Sequence, residues 1–246
     1  VKAAPHQQQR LLDLQAIDTR LDQIQHARTH LPQLAELADL NQKAEVLRAE
    51  HIRVKTAHDD VQRELRKSEA DVQQVRDRAA RDEQRLASGT GTAKDLQALQ
   101  RELESLARRQ NELEEIELEV MERAEAIESD LAELQAGLDR LDAQIAEVEA
   151  ARDEALARLD EEAAKLLAPR ASVVTQVGEE LVALYEKIRA SSGGLGAAPL
   201  RQRRCHGCQL ELNAVDLNHI KAAAEDEVIR CEECRRILVR TPESGL

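Results

Sequence analysis

Leu96-Gln97-Ala98-Leu99-Gln100-Arg101-Glu102-Leu103-Glu104-Ser105-Leu106 opens a run that steps in strict alternation of three and four residues as far as Leu166. The stepped positions are Leu96, Leu99, Leu103, Leu106, Gln110, Leu113, Glu117, Val120, Ala124, Ile127, Leu131, Leu134, Leu138, Leu141, Ile145, Val148, Arg152, Ala155, Leu159, Glu162 and Leu166, and seventeen of these 21 are apolar. A repeat of 3.5 residues held over about ten heptads covers only a narrow seam, so it requires a partner helix and a left-handed supercoil.

The partner lies upstream in the same chain. Leu37, Leu40, Ala44, Leu47, His51, Val54, His58, Val61, Leu65, Ser68, Val72, Val75, Ala79, Asp82 and Leu86 follow the same rule in a weaker, more polar seam. Between the two runs, near residues 87–93, Ala87-Ser88-Gly89-Thr90-Gly91-Thr92-Ala93 supplies a short glycine-bearing break that forces antiparallel neighbours. The expected architecture is therefore mainly α: a long antiparallel coiled-coil hairpin. A parallel dimer of one continuous helix is the competing arrangement, against which Gly89 and Gly91 argue.

Outside the hairpin, a first helix from about Gln7 to His30 carries Leu14, Ile17, Leu21, Ile24 and Leu31, and its register shifts at Pro32. Pro169 is expected to separate the long arm from a shorter helix bearing Val174, Val177, Leu181, Leu184 and Ile188. These two short helices are expected to pack together, and because the second arm outruns the first beyond about residue 150, the first helix is expected to cover the surplus. A change of character after Ser191-Ser192-Gly193-Gly194 places a boundary between a hairpin region, 1–190, and a C-terminal module, 191–246, with separate cores expected for the two.

Composition agrees with an elongated helical protein. In 246 residues there are one Tyr, no Phe and no Trp, while 34% of residues are charged. No window approaches the length of a membrane span and the start lacks the apolar core of a secretory signal, so a cytoplasmic protein with no membrane partner is expected. The net charge of −13 divides as −1 over residues 1–60, +1 over 61–95, −13 over 96–168 and 0 over 169–246. Such an acidic arm disfavours nucleic-acid binding along its length.

The C-terminal module carries Cys205-His206-Gly207-Cys208 and Cys231-Glu232-Glu233-Cys234, with 22 residues between the pairs. Two cysteines two residues apart turn both thiolates to one side of a tight loop, and two such loops complete a tetrahedron around one Zn²⁺. Disulfides are disfavoured by the strain of a C-x-x-C bridge and by the absence of any sign of an oxidising compartment. With Cys205, Cys208, Cys231 and Cys234 as ligands the metal keeps no open position, so its role is structural. His206 reads as a solvent-facing knuckle residue and His219 as a helix-surface residue, while His51 and His58 read as polar seam positions that set register.

No catalytic constellation emerges. The Gly89-Thr90-Gly91-Thr92-Ala93-Lys94 run lacks the spacing and strand context of a phosphate loop, and Gly193-Gly194-Leu195-Gly196 lacks those of a dinucleotide fingerprint. The carboxylates along the arms read as solvated helix faces, with no small-molecule substrate implied. Arg201, Arg203 and Arg204 before the first knuckle and Arg235, Arg236 and Arg240 after the second are candidates for a contact surface, brought together by antiparallel ribbon strands. That surface suits an acidic protein, nucleic-acid phosphate as the alternative, or no partner at all, because Asp226, Glu227, Glu232 and Glu233 interleave with it; aromatic stacking residues are absent.

The succession Leu31-Pro32, Ala93-Lys94-Asp95-Leu96-Gln97-Ala98-Leu99-Gln100-Arg101-Glu102, Leu184-Tyr185-Glu186-Lys187-Ile188-Arg189, Gly193-Gly194, Cys205-x-Gly-Cys208 and Cys231-x-x-Cys234-Arg235-Arg236-Ile237-Leu238 resembles the bacterial C4-type zinc-ribbon coiled-coil family over nearly the whole chain. The resemblance implies a helical hairpin followed by a small four-cysteine zinc ribbon of α+β character, one structural zinc on those cysteines, and no enzyme activity. It further implies an adaptor or chaperone role: in bacteria with flagella or type III secretion, relatives engage an alternative sigma factor, export components or flagellin messenger RNA. The specific partner is not carried over. Arg235 stands where a Gly often follows the second knuckle, which puts a slight strain on that turn.

Overall fold

The computed structural model describes residues 1–246 and is dominated by helix: α1 (Pro5–Thr29), α2 (Pro32–Ala87), α3 (Ala93–Val177), α4 (Glu179–Ser191) and, within the C-terminal module, α5 (Ala214–Ala222). Three short strands, β1 (Ala197–Arg201), β2 (Arg204–Cys205) and β3 (Ile237–Arg240), form one sheet in the order β2-β1-β3. The chain divides into two compact units, Ala35–Glu149 and the combination of Val1–Leu34 with Ala150–Leu246.

In the first of these, α2 and α3 run antiparallel as the alternating repeat requires. Every stepped position of both runs is buried or half-buried, and Val61, Val120 and Ala124 form a closed patch of the seam with Leu65 and Ile127 against them. Ion pairs straddle it in antiparallel register: Arg48 with Asp142 at 2.7 Å, Glu64 with Arg123 at 2.8 Å, Arg76 with Glu114 at 2.6 Å, and Arg78 with Glu102. These are exposed pairs, each contributing at most about 1 kcal/mol, so they select register more than they stabilise. The turn uses Gly89 at φ 63° and Gly91 at φ 141°, conformations that side chains resist. A reciprocal cap then starts α3. The Thr92 N–H donates to Asp95 Oδ2 at 2.9 Å and the Asp95 N–H to Thr92 Oγ1 at 3.3 Å, and the Thr92 hydrogen bonds hold the Asp95 carboxyl below the usual range.

The second unit departs from expectation at Pro169. The helix does not break there; α3 continues to Val177 and ends at Gly178, whose φ is 90°. Proline within a helix costs about 3 kcal/mol. That cost is offset where Val173, Val174 and Val177 join a core with Leu11, Leu14, Leu181, Tyr185 and Ile188, and where Arg170 anchors the turn after the proline. α1 supplies the expected cover beyond residue 150, with Arg20 on Glu162 at 2.5 Å and Arg28 on Asp160 at 2.7 Å. Its buried face carries Leu14 and Ile24 of the apolar stripe read from sequence, with Ile17, Leu21 and Leu31 half-buried, but polar side chains share it: Gln8, Gln15 and Asp18 are 3%, 5% and 1% exposed.

Each of these polar groups is matched. The Asp18 carboxylate accepts from Arg170 Nε at 2.6 Å and from the Tyr185 hydroxyl at 2.8 Å. Arg170 also donates to Glu186, and Arg189 donates to Asp22 at 2.6 Å. Burial and the Asp18 carboxylate push the Tyr185 phenol up, and the hydrogen bond to Asp18 raises the Arg170 guanidinium further. One charge cluster centred on the buried Asp18 thus ties α1, the end of α3 and α4 together.

The ribbon is not independent of these helices. β1 pairs with β2 antiparallel but with β3 parallel, Ala197 opposite Ile237 and Leu200 opposite Arg240, so the expectation of purely antiparallel ribbon strands is corrected. Successive strand residues point to opposite faces. Ala197, Ile237 and Val239 join the core of α1 and α4, whereas Ala198, Leu200 and Leu238 join a second core with Cys205, Cys231, Leu212, Leu217, Ile220 and Ile229. The separate cores expected for residues 1–190 and 191–246 are therefore one core on each face of a shared sheet.

Candidate metal centre

Both cysteine pairs sit in the same backbone device. The Gln209 N–H donates to the Cys205 carbonyl at 2.8 Å and the Cys205 N–H to the Leu210 carbonyl at 3.0 Å; the Arg235 N–H donates to the Cys231 carbonyl at 2.8 Å and the Cys231 N–H to the Arg236 carbonyl at 3.0 Å. Closing each loop requires a left-handed residue after the second cysteine, at φ 64° for Gln209 and 62° for Arg235. The strain anticipated at Arg235 is thus present, and Gln209 shares it. Gly207 has a separate reason to be glycine, because a Cβ there would lie 3.0 Å from both the Ala198 Cβ and the Arg236 Cδ.

The four Sγ atoms lie within 4.8 Å of one another, with Cys205 to Cys234 and Cys208 to Cys231 both at 3.9 Å. A tetrahedral zinc with bonds of about 2.3 Å has sulfur–sulfur edges of about 3.8 Å. The donor set fits the metal in number, kind and spacing, and no histidine joins it. Without a cation the cluster does not ionise uniformly. Burial pushes Cys205 up to about 12 and also raises Cys231. At Cys234 burial acts the same way, but hydrogen bonds from the backbone and side chain of Arg236, with those of the Cys231 and Cys208 thiols, outweigh it and bring the group to about 7. Metal binding must therefore displace protons, and the bound cation replaces their role in neutralising the cluster.

Four clustered thiolates should yield one zinc per chain. Elemental analysis of reduced, freshly purified protein checks this, and protein carrying no metal would refute it.

The chain matches the CT398-like coiled coil hairpin domain over residues 14–193 and the C4-type zinc ribbon domain over 204–238, a span that contains all four cysteines. It belongs to the CT398-like coiled-coil hairpin family. An uncharacterized protein of Mycobacterium tuberculosis is 38% identical over 240 residues, covering 98% of each chain. A solved Mycobacterium smegmatis structure shares 37% identity with a TM-score of 0.85, over 98% of this chain and 100% of that one. CT398 of Chlamydia trachomatis, at 20% identity and TM-score 0.68 over 96% and 98% of the two chains, shares the fold. These domains are coiled-coil and zinc-ribbon types, not enzyme families, and this CT398-like chain carries one structural zinc site.

Two of the six arginines of the CT398-like ribbon are turned into the fold. Arg240 donates to the carbonyls of Ala223, Ala224, Glu225 and Glu227 at 2.8–3.2 Å, and Arg236 to those of Leu195 and Ser192 at 2.9 Å. Both are braces of the fold. Arg235 pairs with Glu232 and Arg201 with Glu243, each at 3.1 Å. Arg203 lies exposed in the β1–β2 turn and Arg204 exposed at the start of β2. His206 and His219 are exposed, as expected. What sequence reasoning missed is the polar set Gln8, Gln15 and Asp18 of α1 and Arg170 of α3, whose partners are distant in sequence; only the helical spacing of the three α1 residues hinted at a shared face. No helix is long and apolar enough to cross a membrane.

Proposed function

We propose that this protein is a non-enzymatic adaptor or chaperone that binds protein partners in the cytoplasm, where a reducing environment keeps the four thiols available to metal. The observation that carries this reading is the closed donor set: four sulfurs exhaust a tetrahedral zinc, leaving no position at which water or substrate could be activated. The inward use of Arg236 and Arg240 favours protein over nucleic acid, because it removes two of six cations from any phosphate-binding face. Binding of nucleic acid through the exposed turn of Arg201, Arg203 and Arg204 is the alternative. It would be driven by phosphate charge and would weaken steeply with salt, whereas an adaptor interface draws also on apolar area and persists at moderate salt.

Titration of generic RNA and DNA at low and physiological salt separates the two. The expected result is weak binding that vanishes at physiological salt. Tight binding there, lost when Arg201, Arg203 and Arg204 are all changed to Ala, would make the nucleic-acid reading primary.

A further inference from the structure

We propose that the first half of α1 is a metal-dependent latch: it stays docked only while the four cysteines are held around zinc, although none of its residues touches them. The coupling runs through the sheet. Leu11 and Leu14 pack in a core closed by Ala197, Ile237 and Val239, and the alternate residues of those same two strands close the core around Cys205 and Cys231. Strands of 5 and 4 residues hold no fold without both faces covered.

Polar contacts reinforce the dependence. Gln15 Oε1 accepts the N–H groups of Gly196 and Ala197 at 2.7 and 3.2 Å, and its Nε2 donates to the Gly194 carbonyl at 2.9 Å. Gln8 Nε2 donates to the Glu225 carbonyl at 3.0 Å, and the Ala3 N–H to that of Asp226 at 2.8 Å. All of these partners are main-chain groups at or just before the start of β1 or within the segment preceding Cys231. Their positions exist only while the ribbon is folded. Once it melts, Gln8 and Gln15 lose their ribbon partners on a buried face, and Leu11 and Leu14 keep only the Val177, Leu181, Tyr185 and Ile188 side of their core, too little to hold the half-helix in place.

The second half of α1 is anchored differently. Asp18, Arg20 and Arg28 reach Arg170, Glu162 and Asp160 of α3, none of which belongs to the ribbon. Release therefore stops near Asp18. The responding element is a half-helix whose departure uncovers Leu181 and Tyr185 of α4, so metal content would be reported at a surface remote from the thiols.

Hydrogen exchange read by mass spectrometry on the full reduced chain tests this, comparing zinc-loaded protein with protein stripped by a strong chelator and verified metal-free. Amides of residues 8–15 should exchange at least about tenfold faster without metal, while those of 20–29 and 40–145 stay within about twofold. Unchanged protection at 8–15 alongside free exchange across 204–238 would overturn the latch. So would loosening of the entire chain, or a metal-free ribbon that keeps its protection. In zinc-loaded Gln15→Ala, residues 8–15 should exchange faster with zinc stoichiometry unchanged; no acceleration there would show that the polar clamp does not hold the helix.

Discussion

Replacing Cys231 with Ser is expected to abolish stoichiometric zinc binding and unfold the ribbon while residues 35–149 remain helical. A structural zinc of this kind contributes on the order of 10–16 kcal/mol to folding in zinc-finger peptides, comparable to or larger than the whole stability of a typical domain, about 5–15 kcal/mol. A serine hydroxyl is a poor substitute for a thiolate, and Cys205, pushed up to about 12 by burial, would stay protonated. The core around Cys205 and Cys231 is small, and two of its members are the ligands themselves. Hydrophobic burial there cannot replace the metal. Elemental analysis and limited proteolysis provide the readouts. Purified mutant with a full zinc complement and a protease-resistant C-terminus would refute the expectation. Loss of most far-UV helix signal would show instead that the hairpin unit depends on the ribbon.

Asp18→Ala should be the most damaging change outside the metal centre, destabilising the unit of α1, α4 and the ribbon by about 3 kcal/mol. Removing one member of a buried ion pair costs about 3–5 kcal/mol because the partner charge is left uncompensated. The lower end applies here, since Arg170 and Arg189 retain 29% and 22% side-chain exposure and can recruit water. The Tyr185 hydroxyl, on a fully buried residue, has no such recourse. Tyr185→Phe deletes only that hydroxyl and should cost about 1 kcal/mol. Because Tyr185 is the only Tyr and there is no Trp, its intrinsic fluorescence reports on this unit alone, and urea unfolding of Asp18→Ala can be followed there without interference from the hairpin. A midpoint indistinguishable from that of the parent chain would show that the buried charge cluster adds nothing to stability.

The hairpin and the metal centre were legible because both are written in local spacing. A 3.5-residue alternation specifies which residues face a partner wherever the partner lies, and all stepped positions are buried or half-buried. The glycines at 89 and 91 mark a turn because both take positive φ, which side chains disfavour at 63° and resist strongly at 141°. A cysteine pair two apart specifies a knuckle because one tight loop can aim both sulfurs. Each of these signals is contained within a few residues, so no knowledge of the rest of the chain is needed.

What the tertiary structure alone decided lies where partners are far apart in sequence. Asp18 finds Arg170 and Tyr185 at separations of 152 and 167 residues, and Gln15 caps a strand 181 residues away. In isolation these positions read as the wet side of an amphipathic helix, because a polar side chain is buried only when distant donors and acceptors meet it. Pro169 read as a helix end, yet packing on both sides carried the helix through to Gly178. Arg236 and Arg240 read as surface cations until the carbonyls they gather came into view. Periodicity and ligand spacing, being local, are properties of the sequence by itself; which polar groups are buried, and which charges are spent inside the fold, depends on segments that only folding brings together.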